Sequence, residues 1–143
     1  MRKPRHDQRQ DWDYDELVAE LRAWAAGDYG IEAAVDLLAA HGHWLARRDF
    51  RDACLHATAE HLVTDFDLPQ VWLGFDTAAA IADHGRVPAS GSELQMLAVA
   101  VELAGYSTSR PLGDLLRGLD DANTGHVLDA IAHAAGRRVV VSP

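Results

Sequence analysis

The chain has 143 residues and a formal net charge of −9 at pH 7, with 48% hydrophobic and 24% charged residues. This length suits one domain, and the composition excludes wholesale disorder. The single cysteine, Cys54, excludes an internal disulfide, and the polar, basic start from Met1 to Trp12 lacks the apolar run of a signal peptide. We therefore expect a cytoplasmic protein. Lys3 is the only lysine and alanine is frequent, a bias that indicates a bacterial source.

Charge is unevenly distributed along the chain. The first ten residues lack hydrophobic periodicity and carry +3, the tail from residue 137 carries +2, and residues 11–136 therefore carry −14. We interpret 1–10 as a flexible basic arm and 11–143 as a single helical domain. Because an acidic body repels phosphate groups, its charge argues against nucleic-acid binding and favours a basic protein partner.

Two helices are predicted at the start of the domain. Asp13 and Glu16 have the spacing of a capping box, and apolar residues then recur at helical intervals until Gly27. The second helix begins near Tyr29 and is closed by Gly42, since glycine readily adopts the left-handed conformation that follows a helix.

A third and a fourth helix are predicted from Asp49 onward. Asp49 is a suitable N-cap, and the apolar positions from Phe50 continue at helical spacing to Phe66. Pro69 separates this helix from the next, because proline disfavours helical conformation in the residue before it and suits the first turn of a helix. The fourth helix then extends to His84.

The most apolar stretch of the chain is 92–105, SELQMLAVAVELAG. A helix through it is apolar around most of its circumference, which is typical of a buried helix, and it is too short to span a bilayer. Ser90 with Glu93 and Ser92 with Gln95 both fit the capping-box spacing at its start. We expect this helix to form the centre of the core.

Two more helices complete the predicted bundle. Pro111 starts a short helix, and Asp120 caps a last helix that ends at Gly136. The apolar positions assigned to this last helix are Val127, Leu128, Ile131, Ala132 and Ala135. The predicted fold is therefore all-α, a compact bundle of six or seven helices around the central apolar helix, with a short extended C-terminal segment.

The C-terminal segment carries candidate interaction residues. Three consecutive β-branched residues after a helix stop favour strand geometry. Such a segment can add as a strand to a partner or to a second copy, giving a homo-oligomer, or it can pack on its own bundle. The candidate residues are Arg137, Arg138, Val139, Val140 and Val141.

Histidines are the candidate metal ligands, because imidazole binds transition metals near neutral pH. His56 and Glu60 have the i,i+4 spacing that places two ligands on one face of the predicted third helix. Further ligands would have to come from another helix, with His41, His43 and His126 as candidates. The HExxH and ExxH patterns are absent, and no other cofactor is predicted.

Known catalytic and nucleotide-binding motifs are absent from the chain, including GxSxG, GxGxxG and the phosphate-binding loop. The leading hypothesis is a non-enzymatic interaction or regulatory module, such as an inhibitor, immunity protein or antitoxin, whose acidic helical surface binds a basic protein. One alternative is a ligand-binding or metal-dependent enzyme with a His/Glu-lined site between helices. Another is a structural homo-oligomer. No membrane association is expected.

Overall fold

The computed structural model describes residues 12–57, 71–84 and 87–137. These ranges form a helical bundle, which confirms the predicted all-α class. The basic arm and the extended segment at 139–141 lie outside the described residues. The elements are α1 (Tyr14–Ala25), α2 (Tyr29–His41), a 3-10 turn (Trp44–Ala46), α3 (Arg48–Cys54), β1 (Leu55–Ala57), β2 (Val71–Leu73), α4 (Phe75–His84), α5 (Gly91–Leu103), α6 (Leu112–Leu116) and α7 (Asp121–Ala134).

Helix α5 is the central helix that the apolar stretch predicts. Its six consecutive residues from Met96 to Val101 are all buried, and α2, α4, α6 and α7 pack around it. The approach of α2 is close, because a Cβ added to Gly30 would lie 2.5 Å from the carbonyl oxygen of Leu103. Among the described helices, none combines the length and the apolar content needed to cross a bilayer.

Side chains cap the starts of three helices. Ser90 and Glu93 form the predicted capping box of α5, with Ser90 Oγ accepting from the Glu93 N–H and Glu93 accepting from the Ser90 N–H. The alternative pair does not form, because Gln95 instead donates to backbone carbonyls near α6. Asp28 caps α2, and Asp120 caps α7 as predicted.

Two other predicted caps are wrong. Asp13 occupies the N-cap position of α1, but its side chain makes no capping hydrogen bond. Helix α3 begins at Arg48, one residue before the predicted cap, and Asp49 pairs with the Arg47 guanidinium instead. The ion pair explains why the helix does not begin after Asp49. A carboxylate is stabilised more by two charged guanidinium N–H groups than by one neutral backbone N–H.

The predicted third and fourth helices are wrong at their junction, because 55–57 and 71–73 are strands. β1 and β2 pair antiparallel with His56 opposite Trp72. Leu55, Val71 and Leu73 are buried while His56 is exposed, so the short segments follow the two-residue period of a strand. The end of the third helix and Pro69, which was predicted to begin the fourth, lie outside the described residues.

Arg51 is the one buried charged side chain in the part of the chain that the structure describes. Its Nε donates to the carbonyl oxygen of Leu45 at 2.6 Å, and its Nη1 donates to that of Trp12 at 2.7 Å. Burial lowers the pKa of the guanidinium. Arg51 thus joins the 3-10 turn to the segment before α1 through hydrogen bonds that an apolar residue could not make.

Candidate functional site

A cleft of about 300 Å³ opens between α1, α2 and α7. Its lining is polar and of mixed charge. A second hollow of about 230 Å³ shares Arg22, Asp36 and His133 with it and adds Glu32, so the two form a continuous groove. The residues that line the larger cleft are Arg22, Asp36, Leu37, Ala40, His126, Asp129, Ala130 and His133.

A His–Glu pair bridges the ends of two helices in this groove. His133 Nε2, in the last turn of α7, lies 2.7 Å from Glu32 Oε1 in the first turn of α2. The Gly27 N–H donates to the other oxygen of Glu32 at 2.8 Å, and the ring of Tyr29 lies edge-on to His133. The hydrogen bond from His133 is the main reason that the pKa of Glu32 is lowered.

Arg22 is the cation of the cleft. Its Nε donates to Asp36 Oδ1 at 2.8 Å, and both side chains are exposed. An exposed pair of this kind contributes about 0–1 kcal/mol to stability. The remaining guanidinium N–H groups of Arg22 make no hydrogen bond to another residue of the described ranges, which leaves donors directed to solvent beside two histidines and Asp129.

A second polar cluster joins the 3-10 turn to α5. His43 Nδ1 lies 3.2 Å from Glu93 Oε2, and Arg47 Nη1 lies 3.4 Å from His43 Nε2. These contacts place the His43 imidazole between a carboxylate and a guanidinium. The Arg47 guanidinium also covers the Trp44 ring at 5.0 Å, and Trp44 Nε1 donates to the Glu93 carbonyl. The cluster is a structural clamp whose polar groups satisfy one another.

His41 lies beside this clamp, at the end of α2 as predicted. Its Nδ1 is buried and has no hydrogen-bond partner. Burial is the main reason that the pKa of His41 is lowered, and the neighbouring His43, whose ring centroid is 5.9 Å away, lowers it further. His41 therefore favours the neutral form.

Of the predicted metal ligands that the structure describes, His41 and His43 lie close together, with ring centroids 5.9 Å apart, whereas His56 has other neighbours. His56 lies in β1 and stacks on Trp72 with ring centroids 5.7 Å apart, so the helical spacing that paired it with Glu60 does not apply. Glu60 lies outside the described residues. Within 12–57, 71–84 and 87–137, no group of three or more His, Cys, Asp or Glu side chains is placed to hold a metal ion. The metal site stays a prediction.

Cys54 is fully buried at the end of α3. Burial raises the pKa of its thiol to about 12, so the sulfur is protonated at neutral pH. Since the thiolate is the nucleophilic form, Cys54 contributes to packing and not to nucleophilic chemistry.

Of the predicted C-terminal interaction residues, the structure describes only Arg137. Its side chain is exposed, and its backbone N–H donates to the carbonyl of Ala132 at 2.8 Å, which closes the end of α7. Arg138, Val139, Val140 and Val141 lie outside the described residues.

Burial of the apolar positions predicted for the last helix is confirmed at Val127 and wrong at Leu128 and Ile131. Leu128 is 60% exposed and Ile131 is 42% exposed, whereas Val127 and Ala130 are buried against α2 and α5. Apolar residues occur around much of the circumference of α7, so either of two faces is suited to burial. The positions of the neighbouring helices determine which face is buried. One signal in the sequence bears on this face, a glycine at position 125 in the middle of the helix.

Part of the acidic charge of the body lies on α1. α1 presents the side chains of Asp15, Glu16 and Glu20 within two turns; the first two are exposed and Glu20 is half-buried. None of the three forms an ion pair with another residue of the described ranges.

Comparison with family models, with curated proteins and with solved structures finds no match for this chain.

Proposed function

We propose that the protein is a non-enzymatic interaction module that binds a basic partner protein through the acidic surface of α1. The proposal rests on a difference between the acidic side chains of α1 and the arginines in whether they are paired. Within the described residues Asp15, Glu16 and Glu20 form no ion pair, whereas several arginines are bound by groups of the same chain.

The arginines are occupied in three ways. Arg22 and Arg117 pair with carboxylates on the surface. Arg47 is held by Asp49 and by the carbonyl of Pro88. Arg51 is buried on backbone carbonyls. The negative potential of α1 is thus not cancelled by these arginines, and an acidic patch attracts basic partners at long range.

The test uses a lysine-rich helical peptide as probe, with backbone NMR shifts recorded at low and at high salt. We expect shifts confined to α1 that disappear at high salt, because salt screens exposed charges. Neutralising Asp15, Glu16 and Glu20 together should weaken binding about tenfold, at roughly 0.5 kcal/mol for each carboxylate.

The matched control neutralises three carboxylates elsewhere, Asp76, Glu102 and Asp129. It removes the same total charge and should leave most of the binding intact. Equal weakening by the two triple variants would mean that only net charge matters and would overturn the assignment to α1.

The cleft supports a second candidate function, the binding of a small zwitterion. Arg22 offers free N–H donors, and Asp36 and Asp129 offer carboxylates, in a volume at the lower end of the range of small-molecule sites. Titration with a panel of free amino acids should shift the NMR signals of the cleft residues. Arg22→Gln should remove the effect and Arg117→Gln, an exposed arginine outside the cleft, should not; no shift with any amino acid would refute this candidate.

A further inference from the structure

Helix α7 has an outer face that is left exposed in the part of the chain that the structure describes. Five of the exposed positions from Asp121 to the C-cap Ala135 recur at alternating three- and four-residue intervals, the spacing of the contact seam of paired helices. We call this face the α7 stripe. Its members are Asp121, Thr124, Leu128, Ile131 and Ala135.

Gly125 borders the α7 stripe and is not explained by the packing of the single chain. A Cβ added there would meet no atom within 4 Å. A glycine inside a helix costs roughly 1 kcal/mol relative to alanine. Small residues at a helix surface allow a second helix to approach closely, and Gly125 lies beside Leu128, where such an approach would occur.

We propose that a second copy of this chain packs on the α7 stripe, with the two α7 helices antiparallel about a two-fold axis. Placing the axis between Leu128 and Ile131 sets each Leu128 against Ile131 of the second copy. Closed two-fold symmetry is the commonest arrangement of homo-oligomers, because one patch then serves both subunits.

Charge complementarity selects the second copy and the antiparallel direction. α7 begins with Asp120 and Asp121 and is followed by Arg137. An antiparallel pair places the acidic start of each α7 beside the end of the other α7, which Arg137 follows. A parallel pair would place like charges together at both ends. Antiparallel helix dipoles add to the preference.

The proposed contact is small and independent of the acidic surface of α1. One helix pair buries much less than the roughly 1,600 Å² of a standard interface, so we expect weak, reversible dimerisation. Binding of a basic partner through α1 and self-association through α7 are measured separately, and either can fail without the other.

Sedimentation equilibrium from about 10 µM to about 1 mM, a range suited to weak interfaces, tests the proposal. The wild-type mass should rise from 15.6 kDa towards twice that value. Leu128→Asp should weaken association at least about thirtyfold, as expected for a central apolar anchor. The matched control is Leu112→Asp, which changes a leucine of similar exposure, 57%, on α6.

A second variant separates folding from association. Gly125→Ala should raise the free energy of unfolding of the monomer and at the same time weaken the dimer, because the added methyl group keeps the helices apart. Gly113→Ala in α6, which also has open space at Cβ, should not affect association. A constant mass of 15.6 kDa at all concentrations, or equal effects of Leu128→Asp and Leu112→Asp, would overturn the proposal.

Disulfide trapping tests the direction of the helices. The native thiol of Cys54 is buried and does not compete. Thr124 faces Ala135 of the second copy in the antiparallel pair, so a mixture of Thr124→Cys and Ala135→Cys chains should form a mixed disulfide dimer while neither variant crosslinks alone. Crosslinking of each variant with itself would show a parallel pair and contradict the proposed geometry, as would the absence of any crosslink.

Discussion

Helices α5 and α7 have similar lengths and similar starts, but they differ in how much of their apolar surface the fold covers. α5 is surrounded by four helices, and six consecutive residues are buried. Among the described elements, α7 packs mainly on α2 and α5 and leaves Leu128 and Ile131 exposed. The comparison teaches that an apolar helix is buried only as far as its neighbours reach, and that the remaining face is available for association.

The largest expected effect on the free energy of unfolding comes from a comparison of two leucines, one in α5 and one in α7. Leu97 in α5 is fully buried, so Leu97→Ala should lower the free energy of unfolding by about 3 kcal/mol through lost burial and a residual cavity. Leu128→Ala should change it by less than about 0.5 kcal/mol at low protein concentration, because the side chain is exposed. Denaturant unfolding of both variants measures the contrast. Similar losses would mean that Leu128 packs within the monomer.

The helix caps are expected to have intermediate effects of equal size. Ser90→Ala should destabilise α5, and Asp120→Ala should destabilise α7, by about 1 kcal/mol each, since each side chain accepts a hydrogen bond from a free backbone N–H. Thermal unfolding is the measurement. Asp13→Ala is the control, because Asp13 occupies an N-cap position without such a bond. If its loss matched the other two, the capping bonds would not be the cause.

The smallest expected effect concerns His41, at the end of the helix that contacts both α5 and α7. The ionisable groups around it are His43, Glu93, His126 and Asp120. Because its pKa is lowered in the folded chain, the unfolded chain binds more protons as the pH falls below 6.5, and stability is lost there. His41→Gln should reduce this loss between pH 6.5 and 5.

The contributions of His41 and of the carboxylates to stability are lost in different pH ranges. The pKa values of Glu32, Asp49 and Glu93 are lowered, so their contributions are present at neutral pH and are lost only as the pH falls below the ordinary carboxylate range, about 4. Unfolding free energies measured from pH 7 to 3 distinguish the two. An unchanged slope between pH 6.5 and 5 in His41→Gln would contradict the role of His41.

Local signals predicted much of the fold. The capping box at Ser90 and the glycine at 105 bracket α5 to within two residues of its observed ends, because caps and stops act on adjacent backbone groups. The strands at 55–57 and 71–73 were missed, since three residues are too few to show a two-residue period and the helices beside them continue the helical pattern.

The groove was less predictable than the fold. Glu32 and His133 are separated by 101 positions, and only the packing of α2 on α7 brings them together. The exposed face of α7 was missed for the same reason, because the choice between its two apolar faces depends on helices that are distant in the chain.

The central claim is that the outer face of α7 serves association and not folding. The most direct test is to measure the thermal unfolding midpoint as a function of protein concentration. Unfolding of a dimer shifts with concentration by mass action, whereas unfolding of a monomer does not. We expect the wild-type midpoint to rise with concentration, and the midpoint of Leu128→Asp to match the wild type at low concentration and then stay constant. A wild-type midpoint independent of concentration, or a Leu128→Asp midpoint already lowered at low concentration, would contradict this division of the helix.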